Sequence, residues 1–382
     1  MAYAPISSIT STRNTSSDIT PYSSYTYPAN SVSISNNCYK GNKNILSIDL
    51  QNIPWTNNSM YNAFAGCSNL KSVFNISNTV KNMSSTFDSC INLIDPPTIP
   101  NSVTELQRTF YQCYNMTSAP TIPNSVVNMV GTFTLCNMVT SLPNIPNSVI
   151  NCSGMAAYGM WNVTSLGTFS QNCVNCYNTF YGVGTSTSSL DASNVIIPAS
   201  CTNAVNMFAY SAIKDKVPSV ADGCQTINAA FFGCWMNTGP IFLGNCTSMV
   251  SAFGRCYNLT TATIPNGLVN GAYAFQDCNK LTTITGNIPS TTQNVYFMFA
   301  QTNLYAMKNL YVESENITNA VYFVSYAGDV MSGVFPGPFN VYIPFKYTNG
   351  EYTATYNAFT AAQYTTSGSY KNVYLKNWTP PS

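Results

Sequence analysis

The chain has 382 residues, of which 45% are hydrophobic, 13% are aromatic and only 7% are charged, and its formal net charge is +1. A globular chain usually has about a quarter charged residues, so most of the polar surface must consist of Asn, Ser, Thr and Gln. The charges are scattered singly, which excludes a basic surface that follows a phosphate backbone, and we predict no nucleic-acid partner. Histidine is absent, which removes the commonest general base and zinc ligand, so we expect no metal and no cofactor.

The first element is a segment rich in Ser, Thr and Tyr, residues 1–37. It has neither the basic stretch nor the apolar stretch of a signal peptide, so no cleaved leader is expected. No run of about 18 apolar residues occurs in the chain, and membrane insertion is not expected either. The segment is either a flexible tail or an extended arm that docks on a partner.

The longest element, residues 38–334, is a repeat with a period near 23 residues. Its clearest units place a Phe at an anchor position and a Cys three residues later, and the anchors continue through Ala156 and Phe180 to Val324. Self-similarity at this period is typical of stacked repeat architectures. The candidate core residues are Phe64, Phe87, Phe110, Phe133, Phe253, Phe275, Cys67, Cys90, Cys113, Cys136, Cys234, Cys256 and Cys278.

Each repeat predicts a short helix followed by a short strand. Val103, Leu106, Phe110 and Cys113 have the spacing i, i+3, i+7 and i+10, which is one face of a helix. The Thr- and Ser-rich stretch that follows suits a strand, and its Pro and Asn predict a turn into the next unit. One repeat cannot bury its own apolar face, so we expect stacking around a continuous core. The predicted fold is an α/β solenoid with parallel strands on one face and helices on the other.

A C-x-x-C pair, Cys173 and Cys176, has the spacing of a zinc half-site or a thiol–disulfide centre. The two cysteines stand seven and four residues before the anchor Phe180. Val126 and Met129 hold the same positions before Phe133. A residue that exchanges with Val and Met acts as a small buried hydrophobe, so we predict reduced, buried thiols without metal or redox function.

The last element, residues 335–382, is predicted to be a cap. Residues 339–345 and 371–378 alternate like strands, and a T-N-G turn lies between them at 348–350. The end of a repeat stack must be covered, because an open strand edge would template aggregation.

These features resemble the BspA-type leucine-rich repeat family over roughly residues 57–330. The matching residues are Phe87, Cys90, Leu93, Ile99 and Pro100, and again Phe253, Cys256, Leu259, Ile264 and Pro265. The resemblance implies a right-handed solenoid and a surface protein that binds other proteins or host tissue. The C-terminal segment is also similar to segments that close repeat arrays in proteins of gut bacteria and their phages.

The strand segments carry hydroxyl side chains that should align from repeat to repeat as a neutral ladder. Such a face suits hydrogen bonding to a protein or a glycan, whereas the alternative is a solvated sheet that only resists aggregation. The candidate binding residues are Thr117, Ser118, Thr140, Ser141, Thr260, Thr261, Thr282 and Thr283.

The acidic residues give no sign of an active site. None recurs on a repeat column, and only Glu313 and Glu315 lie close in sequence. A glycosidase needs two carboxyl groups that face each other across a cleft. The sequence also lacks a Gly-rich phosphate loop and a G-x-S-x-G motif. We therefore predict that the protein is not an enzyme.

The sequence favours a structural or adhesive protein of a bacteriophage virion, in the tail or another appendage, made in the host cytoplasm. Its partners would be other virion proteins, a host surface protein or a glycan, and self-association into a homo-oligomer is compatible with this role. The alternative is a bacterial or protist adhesin on a cell surface. A carbohydrate-active enzyme on a repeat scaffold is a minor alternative.

Overall fold

A computed structural model describes residues 35–50, 54–185, 189–324, 339–346, 351–361 and 373–379. The chain divides into two compact units, and the boundary falls between Ser170 and Gln171. We call them unit 1 and unit 2. The predicted arm lies almost wholly outside the described residues, so its limits stay a prediction.

The strands are short, and all of their pairings are parallel. Unit 1 contains β1 (Ser47–Asp49) and β2 (Ser72–Phe74). Unit 2 contains β3 (Ile196–Ile197), β4 (Ser219–Val220), β5 (Cys224–Thr226), β6 (Ile241–Phe242), β7 (Cys246–Ser248), β8 (Thr261–Thr263), β9 (Thr283–Thr285), β10 (Asn309–Tyr311), β11 (Phe339–Ile343) and β12 (Val373–Asn377). The sheets have the orders β1-β2, β3-β4-β6, β5-β7, β8-β9 and β10-β11-β12. The described residues include one α-helix, α1 (Ala354–Ala361), and 3-10 helices at Thr56–Asn58 and Leu304–Met307.

The segments around the anchors are successive turns, so the prediction of short helices there is wrong. We call the stretch from five residues before an anchor to three after it a turn segment. Around Phe110, the Phe110 N–H donates to Thr132 O in the next repeat at 3.0 Å, and the Cys113 N–H donates back to Phe110 O at 3.1 Å. Arg108 and Gln112 have φ angles of 53° and 59°, which an α-helix does not allow. Hydrogen bonds between repeats replace those within a helix, and the apolar spacing fits both arrangements.

The same backbone alternation recurs along the chain. The residue two positions before each anchor is left-handed in every case, and these residues are Asn37, Asn62, Ser85, Arg108, Gly131, Gly154, Asn178, Asn206, Ala229, Ser251, Tyr273, Phe297 and Tyr322. Turn segments therefore share one conformation whatever their sequence.

The core of each unit is a column of stacked aromatic rings. Unit 1 stacks Tyr39, Phe64, Phe87, Phe110 and Phe133, with neighbouring ring centroids 5.1–5.8 Å apart. Unit 2 stacks Phe180, Phe208, Phe231, Phe253, Phe275 and Phe299 at 5.1–5.4 Å. These distances lie in the favourable range for aromatic pairs. The candidate core residues given by the sequence are all buried, none of them more than 2% exposed.

The structure adds a first repeat that the sequence pattern does not reveal. Tyr39 takes the anchor position, because its N–H donates to Ala63 O at 2.9 Å and its ring stacks on Phe64 at 5.1 Å. Asn42 stands where later repeats have Cys, and its Oδ1 accepts from the Asn44 N–H at 2.8 Å. Tyr and Asn in place of Phe and Cys hide this repeat from a search for the motif.

The described part of the C-terminal segment packs on the last repeats, as a cap would. β11 pairs with both β10 and β12. The ring of Phe359, in α1, meets the ring of Phe323 edge to face at 5.2 Å. Thr355 accepts from the Ile317 N–H at 3.0 Å and donates to Ser314 O at 2.6 Å. The T-N-G turn lies outside the described residues, and the limits 335–382 stay a prediction.

Candidate binding surface

In unit 2 the predicted hydroxyl residues lie in two adjacent columns. Thr261 of β8 pairs with Thr283 of β9. One position earlier, the Thr260 hydroxyl donates to Asn237 O at 3.0 Å and the Thr282 hydroxyl donates to Thr260 O at 3.4 Å. The hydroxyls of Thr260 and Thr282 thus donate to a carbonyl one repeat back, which orders that column and leaves their oxygen lone pairs on the surface.

Unit 1 carries the other predicted hydroxyl residues. Thr117, Ser118, Thr140 and Ser141 are all exposed. The Thr140 carbonyl accepts from the Thr164 N–H at 2.9 Å, and Ser141 forms a bridge with Ser165. None of these four residues of unit 1 lies within one of the strands β1 to β12.

The cysteines that stand three residues after an anchor are buried in the core, and burial raises the pKa of their thiols. The Cys113 thiol donates to Phe87 O, the carbonyl of the preceding anchor, at 3.2 Å. The same bond recurs at 2.8–3.1 Å from the other cysteines that follow an anchor. In the C-x-x-C pair, hydrogen bonds with the thiols of Cys173 and Cys201, together with burial, raise the pKa of Cys176. A metal ligand or nucleophile must be a thiolate, and these environments disfavour that form. Within the described ranges, no three His, Cys, Asp or Glu side chains are placed to hold a metal ion.

Among the described residues, most acidic side chains bond a group in a neighbouring repeat. The Asp88 carboxylate accepts from the Arg108 guanidinium at 2.9 Å, and Asn75 Nδ2 donates to Asp49 at 3.1 Å. Others with a partner one repeat away are Glu105, Asp191, Asp215, Asp222, Asp277 and Glu313. These carboxylates therefore serve contacts between repeats.

Comparison with known proteins identifies these repeats. The model of the BspA-type leucine-rich repeat region matches residues 10–129 and 206–325 with six copies, which is more than half of the chain. The chain belongs to the BspA-type leucine-rich repeat family. The match begins inside the segment that the sequence assigns to the arm. No curated protein sequence matches the chain.

The chain is also similar, at low identity, to solved structures of bacterial leucine-rich repeat proteins. A protein from Bacteroides ovatus is 15% identical over 93% of this chain and 92% of its own, with a TM-score of 0.42. A cell surface protein from Faecalibacterium prausnitzii is 19% identical over 71% of this chain and 82% of its own, with a TM-score of 0.34. Family membership rests on the repeat match and not on these likenesses.

The BspA-type repeats of this chain also contain an Asn column that the sequence reading missed. It lies five residues before the anchor, where Asn128 Oδ1 accepts from the Val130 N–H at 3.1 Å. The members are Asn82, Asn128, Asn151, Asn175, Asn203, Asn270, Asn294 and Asn319, and each accepts from the N–H two residues later. Aligning every column of the repeat would have revealed it. Because the side-chain oxygen of each Asn accepts from the backbone of its own turn, the column stabilises the conformation of the turn segments.

Proposed function

We propose that this protein is a non-catalytic recognition protein displayed on a surface, and that its repeats form a solenoid that binds a protein or a glycan. The observation that carries the proposal is the pair of hydroxyl columns in unit 2, built from Thr260, Thr261, Thr282 and Thr283. Columns with a fixed spacing and no charge suit hydrogen bonding to a neutral partner. Leucine-rich repeat proteins are typically non-catalytic, and BspA-type proteins are surface proteins.

The proposal has two candidate settings, a cell surface and a bacteriophage virion. The cell surface agrees with the family. The bacteriophage virion, with other virion proteins as attachment partners, stays a prediction from the sequence. In the part of the chain that the structure describes, no helix has the length and apolarity needed to cross a membrane. The minor alternative, a carbohydrate-active enzyme, is less favoured because so many carboxylates contact a neighbouring repeat.

The test is to apply the labelled full chain to a printed array of neutral glycans, sialylated glycans and extracellular-matrix proteins. We expect binding that survives 1 M salt, because a contact between neutral groups is not screened. Thr283→Lys should abolish it by placing a charge on the hydroxyl column. The matched control is Thr202→Lys, since Thr202 is also an exposed threonine but lies outside the hydroxyl columns, with its own hydroxyl donating to Val174 O at 3.4 Å. Equal binding by both variants would reject the hydroxyl columns as the binding face.

A further inference from the structure

Aromatic side chains lie on the surface of three successive turn segments in unit 2. We call Tyr181, Tyr210 and Phe232 the aromatic patch. The Tyr210 ring centroid lies 5.6 Å from that of Tyr181 and 5.7 Å from that of Phe232, at interplanar angles of 64° and 74°. Tyr210 is 46% exposed. The middle ring is thus open to solvent and flanked on both sides by rings that are steeply inclined to it.

The backbone conformation of Tyr210 is energetically unfavourable for a residue with a side chain. Tyr210 has a φ of 59°, and the equivalent residues two positions after other anchors include glycines such as Gly66 and Gly233 and larger residues such as Leu135 and Arg255. A left-handed conformation is unfavourable for a residue with a Cβ, by about 1 kcal/mol or more. Glycine would therefore suit the backbone of this turn better than Tyr.

A glycine supports the ring from beneath. A Cβ on Gly233 would approach Tyr210 Cδ1 and Cε1 to 2.7 Å, so the ring lies directly over the Gly233 backbone. Phe232 lies over Gly254 in the same way, where a Cβ would come within 2.9 Å of Phe232 Cε2. The backbone of the next repeat thus supports one face of each ring, and the other face of Tyr210 is exposed to solvent.

The patch has no net charge to offer. The Arg255 guanidinium lies 5.6 Å from the Phe232 ring centroid, and it is paired with the Asp277 carboxylate at 3.6 Å. An anionic partner would find no free cation in this pair. Ring faces and a phenol hydroxyl instead match a pyranose, which combines an apolar C–H face with neutral hydroxyl groups.

We propose that the aromatic patch binds a sugar unit of a neutral glycan, with the pyranose C–H face stacked on Tyr210. The proposal names the partner class within the proposed recognition function and rests on it. A proline-rich peptide also packs against aromatic side chains, but it does so in grooves between them. Here the Gly233 backbone fills the space beneath the ring, so the surface is a platform and the glycan is favoured.

The test is affinity electrophoresis of the full chain in native gels that contain dextran, galactomannan or xyloglucan. We expect at least one of these neutral polysaccharides to retard the protein, and Tyr210→Ala to weaken the apparent affinity about tenfold or more through loss of the stacking ring. Tyr257→Ala is the matched control, because Tyr257 is 52% exposed and lies outside the patch. It should migrate like the parent protein.

No retardation by any of the three polysaccharides would overturn the glycan proposal, as would equal retardation of Tyr210→Ala and the parent. Retardation that is lost equally in Tyr257→Ala would also overturn it. If a polyproline peptide binds instead, with loss in Tyr210→Ala, the patch is a peptide site. The recognition function is tested separately, by the array. If array binding resists salt and is abolished by Thr283→Lys, the recognition function stands even when the glycan proposal for the aromatic patch fails. Circular dichroism of each variant checks that the repeats are folded.

Discussion

The cysteine after each anchor is a hydrogen-bond donor as well as a core residue. Phe87 O accepts both the Cys90 N–H at 3.0 Å and the Cys113 thiol at 3.2 Å. The thiol thus links one anchor to the next repeat. The same column holds Ser211, Thr302 and the apolar Val183 in unit 2, all buried. The interpretation of these cysteines as small hydrophobes therefore describes only part of their role.

This role predicts an order of stability for two substitutions at Cys113. Cys113→Ala should lower the free energy of unfolding by about 1–2 kcal/mol, because it removes the sulfur volume and the bond to Phe87 O. Cys113→Ser should cost less, since its hydroxyl can donate to the same carbonyl. Urea denaturation measures both values. A Ser variant less stable than the Ala variant would mean that the sulfur acts only as apolar volume.

Buried thiols also predict how stability depends on pH. Burial raises the pKa of Cys67 from 9.0 to about 12. Thiols of the unfolded chain ionise near pH 9 while the folded ones stay protonated, so this stabilisation is complete below pH 9 and is lost as pH rises towards 12. In reducing buffer, the free energy of unfolding should fall above pH 9, by up to about 1.4 kcal/mol per pH unit for each such thiol.

The control for this pH dependence is Cys67→Ser, which lacks one titrating thiol but keeps every tyrosine. Its stability should fall less steeply between pH 9 and 10.5 than that of the parent protein. Parallel curves for the two proteins would show that Cys67 ionises equally easily in the folded and unfolded chain.

At the scale of the element, the hydrogen bonds between turn segments all run in one direction along the chain. In the segment around Phe110, the N–H groups that leave the repeat, such as those of Phe110 and Arg108, donate to the following repeat at 3.0 and 2.7 Å. The carbonyls that leave the repeat accept from the preceding one, as Thr109 O does from the Phe87 N–H at 2.9 Å. This orientation of the backbone N–H and C=O groups requires left-handed residues at intervals. The positive φ angles therefore follow from the hydrogen bonding between repeats and not from the side chains at these positions.

A glycine tests whether this segment is a turn or a helix. Gly154 has a φ of +58°, and a Cβ there would meet no atom within 4 Å. Gly154→Ala should therefore destabilise the protein by about 1–2 kcal/mol through backbone strain alone. The reverse change, Ala229→Gly at a φ of 51°, should leave stability equal or higher. In a helix both signs would invert, with Ala favoured by up to about 1 kcal/mol. Thermal unfolding of the two variants decides between them.

The sequence predicted the parts of the fold that rest on periodicity. Side chains at a 23-residue period, such as Phe110 and Cys113, must face one interior, and they do. The backbone between them could not be predicted in the same way, because apolar spacing is the same for one helix face and for successive turns. The first repeat was not predicted because Tyr39 and Asn42 occupy the positions that hold Phe and Cys in later repeats. The structure identifies them by their positions, whereas their residue types do not match the motif. The exposed Tyr210 stands out only when its φ and Gly233 are known.

At the scale of the whole molecule, the aromatic columns follow the division into units. The ring stack of unit 1 ends at Phe133, because the next anchor is Ala156, a buried residue without a ring. In unit 2 the Phe180 ring stacks on that of Phe208 at 5.1 Å. Each repeat in a stack contacts its neighbours, so its stability is approximately a sum of local terms. Damage in one stack should therefore stay near its origin.

This locality predicts the effect of removing one anchor. Phe110 lies between Phe87 and Phe133, at centroid distances of 5.6 and 5.8 Å. Phe110→Ala should leave a cavity that costs about 3–5 kcal/mol, as for buried aromatics in general. Native-state hydrogen exchange should then quicken in the turn segments around these three anchors, while the amides of unit 2 keep their protection.

The matched variant is Phe253→Ala, which removes an equally buried ring from the stack of unit 2, where its neighbours are 5.4 and 5.2 Å away. It should show the converse pattern, with faster exchange around Phe253 and unchanged exchange around Phe110. If either variant loosens both units equally, the chain unfolds as one cooperative body and the one-dimensional description fails. If both variants lose protection only beside the missing ring, the repeats are independent enough for substitutions on the Tyr210 surface to be interpreted locally.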